Sequence, residues 1–340
     1  MNTLDYPIDI VVTWLDSTDP EWLAEYGKYR EIKPQSDARY RNWDIFRYWF
    51  RAMEKNAPWF NKIYLITCGH YPKWLNVAHP KLVLVKHSDY IPKEYLPTFN
   101  SRCIELNFGR ISGLSEHFVY FNDDVFLNNP TDPSVYFQQG LPVDFNYERL
   151  FWGMKYNAKD RFGIDLSLMC NIAVLNAHFN RREVIKQAPW KWYGFHHTKE
   201  SFKISMLLRG KERFEGFTYR HSEQPFLKST FKEIWEKEPD MLSRSCTKFR
   251  VAESLTPYFA RYWQLASNKF IPCKENGQFQ GYSIREDTLD TILKSFDNPH
   301  ILSVCLNDNP CCNAEFYNKA SVLIEQKFNA KYPEKSSFEK

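Results

Sequence analysis

Residues 113–127 read GLSEHFVYFNDDVFL, and the position of two acids in this stretch decides the fold expected of the whole chain. Residues 118–121 (FVYF) have the length and composition of a buried strand, and they run straight into Asn122-Asp123-Asp124. On the N-terminal side, residues 8–14 (IDIVVTW), 63–67 (IYLIT) and 82–85 (LVLV) are further short apolar runs. Between them, residues 44–56 place Phe46, Trp49, Phe50 and Met53 at helical spacing, and Ala57-Pro58 stops that helix. Residues 100–110 read as another helix. Strands alternating with helices predict an α/β fold, a mainly parallel sheet covered on both faces. In such sheets ligands bind beyond the carboxyl ends of the strands, which is where Asp123 and Asp124 fall.

On the C-terminal side the pattern loosens. Residues 145–216 contain aromatic loops such as PWKWYGFHH (189–197) and suggest an inserted lobe. Residues 226–238 return to helical spacing through Leu227, Phe231, Ile234 and Trp235, with Gln224-Pro225 marking the start. Beyond Pro272 the chain is polar with short elements. The division expected is therefore 1–144, an α/β part; 145–216, the inserted lobe; 217–330, the remainder of the catalytic domain; and 331–340, a frayed tail.

Composition narrows the class. With 340 residues and 25% charged residues, the chain is an ordinary globular protein. A net charge of +4 without a basic arm argues against nucleic acid and fits phosphate-bearing ligands or an anionic membrane surface. Aromatic residues make up 17%, more than usual, and most of them are expected in the core with some available to stack on sugars. The eight cysteines show no paired metal or disulfide spacing. Asp5 and Asp9 precede any apolar segment, so no signal peptide is visible. The apolar runs are far shorter than the ~20 residues of a membrane-spanning helix. The expectation is a cytoplasmic protein, with the inner face of the membrane as an alternative address.

Several residues are placed to do chemistry. Two acids at a strand end can hold Mg²⁺ against a diphosphate, since that ion needs only one or two carboxylates plus phosphate; an Asn-Asp-Asp turn is the plainer alternative. The first strand ends in Trp14-Leu15-Asp16, where Trp14 can stack on a ring and Asp16 can bond a ribose or a base. Asp19-Pro20 is expected to cap the next helix. Asn100, Ser101 and Arg102 open a helix whose positive end suits an anion, although plain capping is common there. His221 is a candidate proton acceptor, with His196 and His197 as alternatives. Arg250 is a candidate phosphate clamp. Asn307-Asp308 repeats the strand-then-acid design.

Four stretches, taken together, resemble the Stealth family of polysaccharide phosphotransferases. They are IDIVVTWLDSTDPEW (8–22); the run 40–127, which includes MEKNAPWFNKIYLIT, LPTFNSRCIE and GLSEHFVYFNDDVFL; HSEQPFLKSTFKEIWEKEPDML followed by KFR within 220–250; and VCLNDN (304–309). Ser17 stands where the family usually has Gly, Arg102 where bacterial members often have His, and Arg220 and Glu223 where relatives often have Pro. The last two departures raise the prospect of altered acceptor contacts around His221.

The resemblance implies a glycosyltransferase-A-like, Rossmann-related sheet that binds a nucleotide-sugar, with the inserted lobe on the acceptor side. It implies transfer of a sugar-1-phosphate from a UDP-sugar to a hydroxyl of a glycan acceptor, lipid-linked or free, with release of UMP. Asp123 and Asp124 would hold Mg²⁺ (or Mn²⁺), with Asp308 as an alternative ligand, and His221 would be the general base. Arg250 and the turn at Asn100 would meet developing negative charge. Trp14, Asp16, Asn122, Asn307 and Asp308 would contact substrate. Peripheral membrane association and oligomeric state stay open. One rival is a metal-dependent glycosyltransferase that releases UDP; another is a carbohydrate-binding protein with no turnover.

Overall fold

The computed structural model describes residues 5–30, 40–150, 164–309 and 312–340. Its strands are β1 (Ile8–Thr13), β2 (Ile63–Thr67), β3 (Leu82–Lys86), β4 (His117–Phe121), β5 (Val125–Leu127), β6 (Phe137–Gln138), β7 (Leu141–Asp144), β8 (Gln224–Leu227), β9 (Ile271–Pro272), β10 (Phe279–Ser283) and β11 (Ser303–Asn307). The main sheet has the order β3-β2-β1-β4-β8; its first four strands are parallel and β8 runs antiparallel to β4. This is the mixed α/β architecture expected from the alternation of strands and helices. A second sheet, β10-β11-β5, and a third, β6-β7-β9, flank it.

Side-chain alternation explains why both faces of the main sheet are covered. Along β1, Ile8, Ile10 and Val12 enter one core while Val11 enters the other; along β4, Val119 and Phe121 oppose Phe118 and Tyr120. The first core is closed by the helix Phe46–Asn56, whose Phe46, Trp49, Phe50 and Met53 are all buried. The second is closed by the helices Ser101–Leu106, Lys228–Lys237 and Tyr258–Ala266. Helices Ile164–His178, Arg181–Gln187, Pro189–Tyr193 and Lys199–Leu207 follow β7 in the chain, and Leu168, Ile172 and Leu175 of the first share that second core. Buried aromatics such as Trp49, Trp192, Phe118 and Phe217 account for much of the aromatic content.

Three expectations are corrected. Residues 226 and 227 lie in β8, and the helix begins at Lys228. Gln224-Pro225 is therefore not a helix start but part of an edge strand, where proline is tolerated because one side of the ladder is unpaired. The region after Pro272 holds two strands of the second sheet and an 18-residue helix, Ala314–Lys331. The tail is not frayed. Phe338 is 1% exposed against Phe50, Phe60 and His79, and Arg51 grips Glu339 through two bonds of 2.7 and 2.8 Å. Burial of one ring and a bidentate ion pair offset the cost of ordering ten polar residues.

Candidate active site

The strand order reverses between β1 and β4, so their carboxyl ends diverge and leave a crevice at the switch point. β1 ends there at Trp14. β4 ends at Asn122-Asp123-Asp124, where a tight turn (Val125 N to Asn122 O, 3.2 Å) throws the chain into β5 of the second sheet. The acids are thus fixed where two sheets meet, and Leu306 N donates to Asp124 O at 2.8 Å from β11. The cleft has a volume of about 760 Å³, within the usual range for a ligand site.

Most of the residues singled out in the sequence line this cleft: Trp14, Ser101, Arg102, Asn122, Asp123, Asp124, His221, Arg250, Asn307 and Asp308. Two do not. Asp16 accepts from Thr18 N (2.9 Å) and Thr18 Oγ1 (2.6 Å), so its carboxylate closes its own turn rather than facing the cleft. Asn100 is fully buried; its Oδ1 caps Arg102 N at 3.1 Å, and its Nδ2 donates to Ser245 O and to Thr247. This turn is plainly capped, and the cap is Asn100 itself rather than Thr98 or Ser101. Asp19 caps Trp22 N at 2.8 Å ahead of Pro20, as expected.

In the same cleft lining, Arg250 donates to Ser101 Oγ. Arg102 supports that arrangement from below. It is buried, and its guanidinium donates to Val251 O (2.7 Å) and Ser254 Oγ (2.6 Å), holding the segment that carries Arg250.

His221 comes from the segment before β8. Neighbours on both sides of it anchor that segment to the second sheet. Arg220 pairs with Glu275 at 2.6 Å and lies 3.9 Å over the Phe279 ring. Glu223 is buried and accepts from Tyr136 (2.9 Å) and Ser303 (2.8 Å). Neither lines the cleft, so these two departures from the family pattern act on the position of His221 rather than on the acceptor. His196 and His197 are not among the cleft residues either. Burial pushes both below the ordinary histidine range, His197 to about 4.

A hydrogen-bonded row connects His221 to the interior. Its Nε2 is 2.8 Å from the Asn122 side-chain amide. Asn122 is bonded to the Tyr120 hydroxyl, which lies 3.0 Å from Glu105 Oε1. Burial pushes the Glu105 carboxyl upward, opposed by the Arg250 charge and the Tyr120 bond. Glu105 and Tyr120 were not singled out in the sequence. An acid in the otherwise apolar helical turn Cys103–Leu106 was the available signal.

The acids are short of partners. Asp124 Oδ1 and Asp308 Oδ2 are buried atoms with no hydrogen bond. Enclosure by the cleft walls, and then the Asp124 carboxylate, push Asp123 up to about 7, although its side chain opens onto the cleft. Asp308 Oδ1 pairs with Arg41 at 3.1 Å, another contact not read from the sequence. Oxygen atoms that can only accept and a mutually repelling acid pair fit a divalent cation. The Asp124 carboxylate, the His221 ring and the Cys305 thiol also lie within 4.8 Å of one another. Cys305 is held well above its ordinary range by burial and the Asp124 charge, so it stands as a neutral thiol.

Comparison with known proteins identifies the family. The family model for Stealth protein CR2, conserved region 2, matches residues 39–143. A capsular polysaccharide phosphotransferase WcwK of Streptococcus pneumoniae is 38% identical over 98% of this chain and 98% of its own. The exopolysaccharide phosphotransferase cps2G of Lactiplantibacillus plantarum is 34% identical over 98% of this chain and 97% of its own. Among solved structures, galactosyltransferase LgtC with donor and acceptor sugar analogs covers 94% of this chain and 95% of its own at 10% identity, with a TM-score of 0.38. The relatives, matched end to end, make this protein a phosphotransferase. It belongs to the Stealth family of polysaccharide phosphotransferases.

Proposed function

We propose that the enzyme moves a sugar-1-phosphate from a UDP-sugar to a hydroxyl of an acceptor glycan, releasing UMP and leaving a phosphodiester in surface polysaccharide. The observation that carries this reading is that two acids, a histidine, Arg250 and Ser101 line one cleft at the switch point. The acceptor oxygen forms a bond to the β-phosphorus, the bond from that phosphorus to the bridging oxygen breaks, and the electron pair leaves with UMP. Such transfers depend on positioning and charge stabilisation. Arg250 and Ser101 supply donors to the non-bridging oxygens. A Mg²⁺ or Mn²⁺ ion held by Asp123 and Asp124, with Asp308 as alternative ligand, would supply further positive charge to the diphosphate.

His221 takes the acceptor proton. If Glu105 is a carboxylate it can only accept, so the single Tyr120 proton turns toward it. Asn122, which presents Oδ1 to Tyr120 and Nδ2 to His221 Nε2 in the structure, must then turn its amide over, so that its NH₂ meets Tyr120 and its oxygen accepts from His221 Nε2–H. The other ring nitrogen, Nδ1, is left with a lone pair for the acceptor hydroxyl.

A carbohydrate-binding protein has no use for buried carboxylate oxygens without a hydrogen bond, such as Asp124 Oδ1 and Asp308 Oδ2. The UDP-releasing rival shares the cleft chemistry and differs in the bond broken. Incubation with a panel of UDP-sugars and acceptor glycans, followed by ³¹P NMR and mass spectrometry, separates them. UMP and a phosphodiester are expected; UDP and a simple glycoside would overturn the proposal.

A further inference from the structure

The helix Lys199–Leu207 has its faces exchanged. Ser201 and Ser205 are buried, while Phe202, Met206 and Leu207 are 42%, 41% and 62% exposed. A helix on the surface of a water-soluble protein normally turns its apolar residues inward. At 100° per residue, Phe202, Met206, Lys199, Lys203 and Leu207 fall within one outward arc. Two further aromatic residues stand nearby in the chain: Trp190 is 60% exposed and Phe195 is fully exposed.

The loop that presents Phe195 is held in place. Tyr147 donates to His196 O at 2.7 Å, and buried His197 is 3.1 Å from Ser201 Oγ. Phe195 therefore projects from a fixed base. Exposed cations accompany it: Lys199, Lys203, Arg209 and Lys211. Of the two acids between residues 199 and 212, Glu212 is paired with Arg182 at 3.1 Å. Exposed Glu200 stands beside Lys199 and Lys203, and the cations still outnumber the acids; protruding aromatic and aliphatic side chains among such a positive excess suit the boundary between anionic headgroups and acyl chains. No helix among the described residues is long and apolar enough to cross a membrane, so this face would lie on a bilayer and not span it.

We propose that this face docks the enzyme on an anionic phospholipid surface, with Trp190, Phe195 and Leu207 below the headgroups and Lys199 and Lys203 at their phosphates. A docked enzyme would meet a lipid-linked acceptor at the same bilayer, a corollary that rests on the proposed reaction; the docking itself does not.

The test is co-sedimentation of the full chain with vesicles of phosphatidylcholine alone or mixed with phosphatidylglycerol, without donor or acceptor. Binding to the mixed vesicles is expected, weakening as salt is raised. Phe195→Ser and Leu207→Ser should each lower partitioning about tenfold, the loss from leaving one large apolar side chain in water. Lys199→Glu with Lys203→Glu should abolish the preference for phosphatidylglycerol. Melting temperature and turnover on a soluble acceptor should stay unchanged in all four, since none lies in the cleft. Absence of vesicle binding, or binding that these substitutions do not alter, overturns the proposal. So does a concentration-dependent dimer, seen by light scattering, that Phe195→Ser dissociates while vesicles go unbound; that result would assign the face to a second copy of the chain.

Discussion

Glu105, Tyr120 and Asn122 reach His221 in single file, so the orientation of the ring is set by the side chains behind it. Removing the ring and removing its support should have different signatures. His221→Ala takes away the base and should lower kcat by roughly 10²- to 10⁴-fold with donor affinity unchanged, because the proton belongs to the acceptor. Tyr120→Phe leaves the imidazole in place but cuts it off from Glu105. A smaller fall is expected, about tenfold to a hundredfold as for other supporting partners, together with a shift in the acid limb of the kcat–pH profile. Steady-state kinetics across pH and melting temperature check both. If His221→Ala loses donor binding in proportion to rate, His221 is a phosphate ligand. If Tyr120→Phe leaves the pH profile in place, the row is merely structural.

At the scale of elements, the docked tail is the least anticipated feature, and its weight can be measured. Phe338→Ala removes a buried ring from the core that also holds Phe50 and Phe60, and should cost about 3–5 kcal/mol, read as a lowered urea midpoint. Deleting residues 332–340 should cost at least as much; an unchanged midpoint would mean the tail only rests on the surface. The tail escaped sequence reading because one Phe among polar residues has no period. The helix Ala314–Lys331 escaped for a related reason. Its core positions Phe316, Ala320, Ile324 and Phe328 recur every four residues, but as a single row they make too narrow a stripe to stand out. β1, β2 and β4 were legible because each is a largely apolar run buried on both faces, and β3 because its run Leu82 to Val85 is apolar although only half-buried at the sheet edge. The acids were legible because strand and acid are adjacent in the chain. Arg41, Glu105 and Tyr120 reach the site only through tertiary contacts, and a capping Asn100 looks the same in sequence as a ligand-binding one.

For the molecule as a whole, the acid pair sets stability against activity. Asp123 is held at about 7 in the folded state against 3.8 ordinarily, so across that window the folded protein binds more protons than the unfolded chain. Stability in the absence of metal should therefore decline as pH rises from about 4 to 7, and at pH 8 the ionised pair is fully unfavourable. Because the side chain opens onto solvent, the penalty is screened. Asp123→Asn should then melt no lower than the parent at pH 8 with a chelator present, while its turnover is abolished. Adding Mg²⁺ should raise the melting temperature of the parent in proportion to the logarithm of its concentration above Kd, and should leave Asp123→Asn nearly unmoved. Chelation should stop the parent reversibly. Calorimetry of parent and variant, with and without Mg²⁺, decides the matter together with an activity assay. Full activity under chelation would remove the metal from the acids. An apo Asp123→Asn protein that melts well below the parent would show that the carboxylate is needed to hold the turn between β4 and β5.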